Sequence, residues 1–343
     1  MRNILSFLFL VLFAGAISAQ DIHYSQFYNS PLNVNPGKTG IFNGDKRINL
    51  SYRSQWSSVP VPWTTFSGSF DRKWYPKFGQ KYFFSGGILL NHDRQGAQTS
   101  IGQSNFNITG SWTKILNEQN LFTIGAMVGY ANRNFDATSL TWDNQWSGVG
   151  FDINLPIGEQ LDTRSTGFID NGIGLNYRWQ KSKRTKLDLG VGVFHLIEPN
   201  TSIIESNPGG DNSIKMPRRI SLTGVGSFQL TSKVDIQLDV LAQFQGDYTE
   251  FVVGALGKIY VNQRRGKETE LHLGVGYRTS SALFPVVAIQ YKNIYVSANY
   301  DVNVRDFSAV NALGHRPTSF ELHFNYIITD VRPLEKVKVC PIF

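Results

Sequence analysis

The feature that most constrains this sequence is a repeated alternation of apolar and polar residues over segments of about ten residues. The stretch VDIQLDV at 234–240 shows the pattern, with apolar side chains at every even position and polar side chains between them. A period of two predicts a β-strand that has one apolar face and one polar face. About fourteen such strands are predicted, near residues 46–55, 64–74, 81–91, 102–114, 121–132, 167–179, 185–197, 218–230, 233–244, 250–260, 269–278, 284–291, 294–302 and 317–327.

The connections between the predicted strands differ in length from one side to the other. Two of them, 133–166 and 198–217, are long, and a third, 303–316, is intermediate. Long loops on one side and short turns on the other are typical of an outer-membrane barrel, whose short turns face the periplasm. An even number of strands then places both termini in the periplasm. The six short turns are 75–80, 115–120, 180–184, 231–232, 261–267 and 292–293.

A soluble β-sandwich or propeller is the alternative, because its strands also have one apolar face. Three features favour a membrane barrel. The strands are long, Tyr and Trp lie near strand ends as in an interfacial girdle, and the polar face carries too many charges for a dry core. We therefore predict an all-β protein in which residues 46–327 form a transmembrane antiparallel β-barrel of about 14 strands. The charged residues predicted for its lumen include Asp188, Asp235, Asp239, Arg278 and Glu321.

The first 19 residues, MRNILSFLFLVLFAGAISA, predict a secretory signal peptide. Arg2 precedes an apolar run from Ile4 to Ala14, and the small residues up to Ala19 suit a cleavage site after that residue. A membrane anchor is the alternative, but the apolar run is short for a bilayer. No later apolar run in the sequence approaches about 18 residues, which excludes a bundle of membrane-spanning helices.

Charge separates between the two sides of the predicted barrel. The six short turns and their edges carry eleven basic and two acidic residues, whereas the two longest loops carry three basic and eight acidic residues. The net charge of +7 is therefore not a nucleic-acid patch, and no nucleic-acid partner is predicted. It predicts instead a basic periplasmic rim that docks an acidic periplasmic partner; the alternative is that these turns merely suit the membrane surface. The rim residues are Lys181, Lys183, Arg184, Arg264, Arg265 and Lys267.

The sequence predicts no enzyme, no cofactor and no metal site. The six histidines are dispersed, without HxxxH or HExxH spacing. Ser319, Glu321 and His323 lie close together, as in barrels that act as lipases, but proximity alone is weak evidence. Four GxG pairs lack the third glycine and the helix of a dinucleotide site, so we interpret them as small residues that permit strand curvature or leave space in the lumen. These pairs are 172–174, 190–192, 224–226 and 274–276.

One long loop contains the stretch TWDNQWSGVGFDINLP at 141–156. Trp142, Trp146 and Phe151 lie there among Gly and Asn residues. Exposed tryptophans are unfavourable unless they pack or bind, and aromatic anchors are typical of protein-binding surfaces. We predict that these three residues bind a partner; the alternative is a loop that folds inward as a plug.

The opening of the predicted mature chain, QDIHYSQFYNSPLNVNPGKTG at 20–40, resembles the start of the PorP/SprF family, membrane proteins of the type IX secretion system of Bacteroidetes. INLSYRSQW at 48–56, SANYDVNV at 297–304 and CPIF at 340–343 resemble other phrases of the family. Gly37 departs from the alanine that is usual in the opening phrase. The resemblance covers essentially the whole mature chain, and its opening phrase is the most specific part.

The resemblance implies an outer-membrane β-barrel that takes part in secretion and surface retention of cargo proteins with a C-terminal sorting domain. Some members are linked to gliding adhesins, and others associate with the periplasmic ring and the peptidoglycan-binding parts of the machine. The expected partners are therefore such a secreted protein, periplasmic type IX components and outer-membrane lipid. The family brings no catalytic residues and no cofactor. A passive porin or solute channel is the alternative, because the polar lumen face permits it.

Residues 20–45 are rich in polar and aromatic side chains and follow no clear period. We predict an irregular, extended N-terminal segment that stays in the periplasm or enters the lumen as a plug, with two prolines holding it extended. The tail 328–343 is predicted to be periplasmic, and it contains the lone Cys340, so no intrachain disulfide can form. The segment residues predicted to contact a partner are Tyr24, Phe27, Tyr28, Pro31, Asn35 and Pro36.

Overall fold

Fourteen antiparallel strands form a closed barrel in the computed structural model of this chain, which confirms the predicted fold. The structure describes residues 21–56, 62–76, 81–96, 101–136, 142–156, 164–202, 214–279, 282–303 and 318–330. The predicted signal peptide and Cys340 lie outside the described residues. In chain order the strands are β1 (Lys46–Gln55), β2 (Trp63–Trp74), β3 (Tyr82–Gln95), β4 (Ile101–Asn117), β5 (Asn120–Phe135), β6 (Arg164–Gln180), β7 (Lys186–Phe194), β8 (Arg219–Gln229), β9 (Val234–Gln245), β10 (Tyr248–Asn262), β11 (Thr269–Arg278), β12 (Ala282–Tyr291), β13 (Ile294–Asn303) and β14 (Thr318–Ile328).

Each strand pairs with its neighbours in sequence, and β1 closes the barrel against β14. In that closing pair Lys46 lies opposite Ile328, and Gln55 lies opposite Ser319. Closure pairs the backbone groups of every strand with another strand, which a sheet surrounded by lipid requires. Within the described residues no helix is both long enough and apolar enough to cross a membrane.

The alternation in the sequence separates the two faces of the barrel wall. On the outer face Leu50 and Phe106 are exposed and belong to an apolar band around the barrel. Their neighbours Ser51 and Asn107 point inward and are buried. The outer face therefore suits lipid, and the inner face forms a polar lumen. The charged residues predicted for the lumen are all buried in it: Asp188, Asp235, Asp239, Arg278 and Glu321.

The two ends of the barrel differ. At one end, called the turn end, short turns connect the strands, β1 begins and β14 ends. At the other end, called the loop end, the connections include the long segments 136–163 and 195–218. Strand β7 ends at Phe194 and not at the predicted residue 197, because His195 adopts a left-handed φ of 56° that turns the chain out of the strand.

The lipid-facing assignment can be tested at Val240, which faces outward from the middle of β9. We expect Val240→Arg to lower the free energy of unfolding by about 2–4 kcal/mol, because it places a charge among lipid chains. Urea titration of the protein in lipid vesicles measures this loss. Val261→Arg is the control, since Val261 faces outward near the turn-end terminus of β10, where the cost falls to about 0–1 kcal/mol. Equal losses in the two variants would contradict the assignment.

Candidate functional site

Residues 21–45 lie inside the barrel and are called the plug. Asp21 contacts Arg219 and Gln245 at the loop-end termini of β8 and β9, whereas Asp45 bonds to the backbone of Ile328 at the turn end. The plug therefore runs through the lumen from the loop end to the turn end before it enters β1. Asp21, the first described residue, and Asp45 therefore lie at opposite ends of the barrel. The location of both chain termini in the periplasm stays a prediction.

The plug is not extended as predicted. Three 3-10 turns shorten it, at Phe27–Asn29, Pro31–Asn33 and Pro36–Lys38. Each proline begins its turn, because its ring fixes φ near the helical value and its missing N–H is not needed at a first position. The Asn35 side chain caps the third turn by accepting a hydrogen bond from the Gly37 N–H at 2.7 Å. The prolines thus set turns and do not hold the chain straight.

Ser25 connects the plug to a buried ionic network of the barrel wall. Its backbone N–H donates to Glu321 Oε1 at 2.7 Å, and its hydroxyl donates to Asp301 Oδ2 at 2.8 Å. Arg53 lies between these two carboxylates, with Nε 3.3 Å from Glu321 Oε1 and Nη2 3.4 Å from Asp301 Oδ2. Arg53 also donates to the backbone carbonyl of His23 at 2.7 Å. The plug therefore supplies hydrogen bonds to both signs of charge in the wall.

Arg278 extends this network around the lumen. It forms an ion pair with Glu250 at 3.0 Å, lies 3.6 Å from Asp301, and donates to the Ser25 hydroxyl. All these side chains are buried. Because a buried charge that loses a partner is strongly destabilising, removal of the plug would leave this network incomplete.

The third turn of the plug packs onto glycines of the barrel wall. A Cβ on Gly174 of β6 would lie 1.9 Å from Asn35 Oδ1, and one on Gly192 of β7 would lie 2.6 Å from the Val34 carbonyl oxygen. The Asn35 amide also donates to the Leu175 carbonyl at 2.8 Å. The interpretation of the GxG pairs as lumen space is confirmed at Gly174 and Gly192, where a Cβ would collide with the plug.

A buried latch holds the first described residue of the plug at the loop end. Asp21 Oδ2 lies 2.9 Å from both Arg219 Nη1 and His195 Nε2, and His195 Nδ1 lies 2.8 Å from Asp170 Oδ1. Burial lowers the pKa of His195, but its hydrogen bonds to Asp170 and Asp21 outweigh that effect and raise it to about 9. Burial raises the pKa of the Asp21 carboxyl, but Arg219 and His195 outweigh it and hold that pKa well below its usual range. The latch is therefore ionic at neutral pH.

The residues weighed as a lipase-like group have another arrangement. His323 Nε2 lies 3.2 Å from Glu321 Oε2, but the hydroxyl near His323 Nδ1 is that of Ser51, at 2.8 Å, and not that of Ser319. The Tyr24 ring contacts the His323 ring edge-on, with centroids 5.5 Å apart, and all these groups are buried. This cluster holds the plug against the wall. Within the described residues no group of three His, Cys, Asp or Glu side chains is arranged to hold a metal ion.

The plug residues predicted to contact a partner lie against the barrel itself. Tyr24 and Phe27 are 2% and 1% exposed, and the Tyr24 hydroxyl donates to Ser67 Oγ at 2.8 Å. Tyr28 is half-buried and packs beside the cluster of Phe27 with the wall. Binding of a separate partner by these residues stays a prediction. The other predicted plug residues, Pro31, Asn35 and Pro36, are buried as well.

Residues 142–156, called the aromatic loop, lie at the loop end between β5 and β6. The buried Gln145 side chain accepts a hydrogen bond from the Trp142 N–H and donates to the Ile153 carbonyl, which holds the base of the loop. Trp146 and Phe151 form an antiparallel bridge and are 60% and 46% exposed, whereas Trp142 is half-buried. The loop does not fold inward, and it presents four exposed apolar side chains: Trp146, Val149, Phe151 and Ile153.

The predicted basic rim lies at the turn end in two turns. Lys181 and Lys183 are exposed between β6 and β7. Arg184 differs, because it forms an ion pair with Asp235 at 2.5 Å and lies over the Tyr260 ring, 4.1 Å from its centroid. Five of the six residues thus remain available on the surface. The three exposed rim residues between β10 and β11 are Arg264, Arg265 and Lys267.

Sequence reasoning missed wall residues that bind the plug directly and wall residues that pair with those. The sequence contained only part of the signal for these residues. It shows charged side chains at inward positions near the loop-end termini of their strands, but a water-filled lumen tolerates such charges without a plug. Nothing local to those strands identifies the plug as their partner. The missed residues are Arg53, Asp170, His195, Arg219, Glu250 and Asp301.

A closed fourteen-stranded barrel with an apolar outer face, a polar lumen and an internal plug defines the class of outer-membrane β-barrel proteins. The family model described as type IX secretion system membrane protein PorP/SprF matches residues 16–326. The chain belongs to this family and is an outer-membrane component of the type IX secretion system. Among curated proteins no match is found.

Solved structures of other outer-membrane barrels are similar to this chain. The toluene transporter TodX of Pseudomonas putida has a TM-score of 0.51 and 9% sequence identity, covering 87% of this chain and 93% of that one. The toluene transporter TbuX of Ralstonia pickettii has a TM-score of 0.48 and 11% identity, covering 86% of this chain and 92% of that one. At 9% identity the likeness to TodX shows the barrel fold alone.

The packing of the plug on Gly174 and Gly192, called the glycine seat, can be tested with Gly174→Ala. We expect the free energy of unfolding to fall by about 1–3 kcal/mol, because the new methyl group displaces Asn35 from a packed site. Gly224→Ala on β8 is the control, since a Cβ there would meet the Leu189 side chain at an ordinary 3.6 Å. Urea titration in vesicles compares the two. A loss in Gly224→Ala as large as in Gly174→Ala would show that the seat is not special.

The latch should open as pH rises. The pKa of His195 is raised above its unfolded value of about 6.5, so its stabilisation is complete below that pH and is lost as pH passes about 9. We expect an Ile22→Cys, Cys340→Ser protein to react severalfold faster with a membrane-impermeant thiol reagent at pH 10 than at pH 7, relative to the same protein unfolded.

The control for this pH dependence is His195→Gln, which removes the titrating imidazolium from the latch. In that background we expect fast labelling already at pH 7 and little further change up to pH 10. A step of the same size in both proteins would mean that another group controls the exposure of Ile22.

Proposed function

We propose that this barrel retains a secreted protein with a C-terminal sorting domain at the cell surface, through the aromatic loop, and contacts the periplasmic machine at its turn end. The observation that carries the proposal is the exposure of four apolar side chains on one loop whose base is hydrogen-bonded through Gln145. Exposed apolar groups of this number are unfavourable in water and typical of a surface that a partner covers. Trp146 and Phe151 would be its anchors. Gliding adhesins are one candidate class for the retained protein.

The plug supports this role over that of a passive porin or solute channel. Residues 21–45 occupy the lumen along its length and bond to the wall on both sides. The neighbouring TodX structures carry the description of toluene transporter, but the lumen of this barrel is lined by ions and amides and suits an apolar solute poorly. This filled lumen is more consistent with a scaffold that binds a protein than with a channel that conducts a solute. No enzymatic role is proposed.

The basic rim supports a contact with periplasmic type IX components. Its five exposed cations lie on two turns at the end that faces the periplasm in barrels of this kind. A surface of one sign steers a partner of the opposite sign toward it. The two ends of the barrel would thus serve different partners, the secreted protein at the loop end and the machine at the turn end.

The loop-end role predicts that Trp146→Ser with Phe151→Ser loses the secreted protein. Gentle detergent extraction of the tagged barrel from its native outer membrane, followed by quantitative mass spectrometry, measures what is recovered with it. Each aromatic anchor is expected to contribute about 2 kcal/mol of binding free energy. Loss of both should therefore lower recovery of a sorting-domain protein at least tenfold. Leu230→Ser is the control, because Leu230 is 61% exposed at the turn end.

Two outcomes would count against the proposed function. If the double variant and the control recover the secreted protein equally, the aromatic loop is not its binding surface. If the wild-type barrel comes out alone and conducts ions in a planar bilayer, the protein is a channel and the retention role is wrong.

A further inference from the structure

A cavity of about 360 Å³ lies between the plug and the surrounding strands at the turn end. We call it the basic vestibule. Eight of its lining side chains are Lys or Arg, and three are Asp or Glu. Its volume is within the usual range of ligand sites. The excess of positive charge requires an explanation, because like charges in a confined space repel one another.

The arginines of the vestibule are already neutralised. Each forms a short ion pair with a carboxylate of the wall, and the remaining acid, Glu270, lies 3.0 Å from His272. Arginine therefore contributes little free positive charge to the cavity. The pairs are Arg47 with Asp71 at 2.8 Å, Arg178 with Asp188 at 2.6 Å and Arg184 with Asp235 at 2.5 Å.

The lysines of the vestibule are not neutralised in the same way. Among the described residues none of them has a carboxylate within ion-pair distance. Lys258 Nζ reaches only the Ser227 hydroxyl at 3.4 Å, and the Nζ atoms of Lys38 and Lys186 have no hydrogen-bond partner in the described part of the chain. Lys38 is 6% exposed, and burial lowers its pKa to about 8. The five vestibule lysines are Lys38, Lys183, Lys186, Lys258 and Lys292.

We infer that the basic vestibule is a binding site for an acidic peptide segment, which enters from the turn end and places its carboxylates against these lysines. This inference deepens the proposed contact with the periplasmic machine and rests on the turn end facing the periplasm. An acidic ligand would supply the counter-charges that the wall leaves out. The chain's own residues 331–343 carry three basic and one acidic side chain and would not supply these counter-charges.

The distribution of the lysines favours a peptide over a single compact anion. They come from the plug, from β7, from β10 and from the turns after β6 and β12, so their positive groups surround the cavity from several sides. A compact anion such as phosphate is bound best by arginine forks, and the arginines here are occupied. Separated carboxylates along a flexible chain match separated ammonium groups.

The test is binding of a fluorescent peptide of alternating Glu and Gly to the purified full-length protein in detergent, measured by anisotropy. A peptide with Gln in place of Glu should bind at least tenfold more weakly. Lys186→Gln with Lys258→Gln should weaken binding of the Glu peptide about tenfold or more. Arg72→Gln with Lys114→Gln is the matched control, because it removes the same charge from exposed positions near the turn end that lie outside both the cavity and the basic rim, and the affinity of this variant should change less than twofold.

Equal losses in the two double variants would overturn the site and leave only a diffuse basic surface. Displacement of the peptide by millimolar inorganic phosphate would overturn the peptide assignment in favour of a compact anion. Carbodiimide coupling in the wild-type protein tests the site without any variant. It should join peptide carboxylates to Lys38, Lys186 and Lys258, and coupling confined to exposed Lys181 and Lys267 would also overturn the site.

These measurements use neither the secreted protein nor the machine. Failure of peptide binding would therefore leave retention at the aromatic loop standing, and failure of retention would leave the vestibule result unchanged.

Discussion

A strand wall with one apolar and one polar face can lie in lipid only if its polar face is satisfied inside the barrel, and the rest of this structure depends on that constraint. Arg53, Asp301 and Glu321 are buried on the inner face, and the plug supplies the N–H and hydroxyl of Ser25 and the carbonyl of His23 to them. The plug in turn lacks long secondary structure and needs wall partners for its own backbone groups. Wall and plug therefore satisfy each other's buried polar groups.

The strands could be predicted from the sequence because a period of two is a local property that each segment carries alone. The end of β7 could not. It depends on the left-handed backbone of His195, whose ring bonds to Asp170 on the neighbouring strand and to Asp21, 174 residues away in sequence. No glycine or proline lies at 194–197, so the residues next to the break carry no turn signal. Each strand could thus be identified from its own residues. The end of β7 depends instead on contacts with distant parts of the chain.

The candidate site residues also differ in whether the local sequence predicts where they lie. Trp146 and Phe151 could be predicted as surface aromatics because Gly and Asn surround them and no strand period includes them. Tyr24 and Phe27 have similar surroundings but pack against the wall, since an aromatic residue in an irregular segment fits a partner or the inside of its own barrel equally well. The bond from Ser25 to Glu321 spans 296 residues, and no local signal identifies such a pair.

The charged side chains of the lumen differ between its two ends, and the plug contributes to this difference. Near the loop end the wall carries the carboxylates of Glu250, Asp301 and Glu321, which two arginines and the plug backbone balance. Near the turn end the plug itself adds Lys38 to a wall already rich in lysine. A plug that only closed the barrel would have no reason to bring another cation there. Its presence at that end makes the cavity complementary to negative charge, so one segment both completes the wall and creates the vestibule's selectivity.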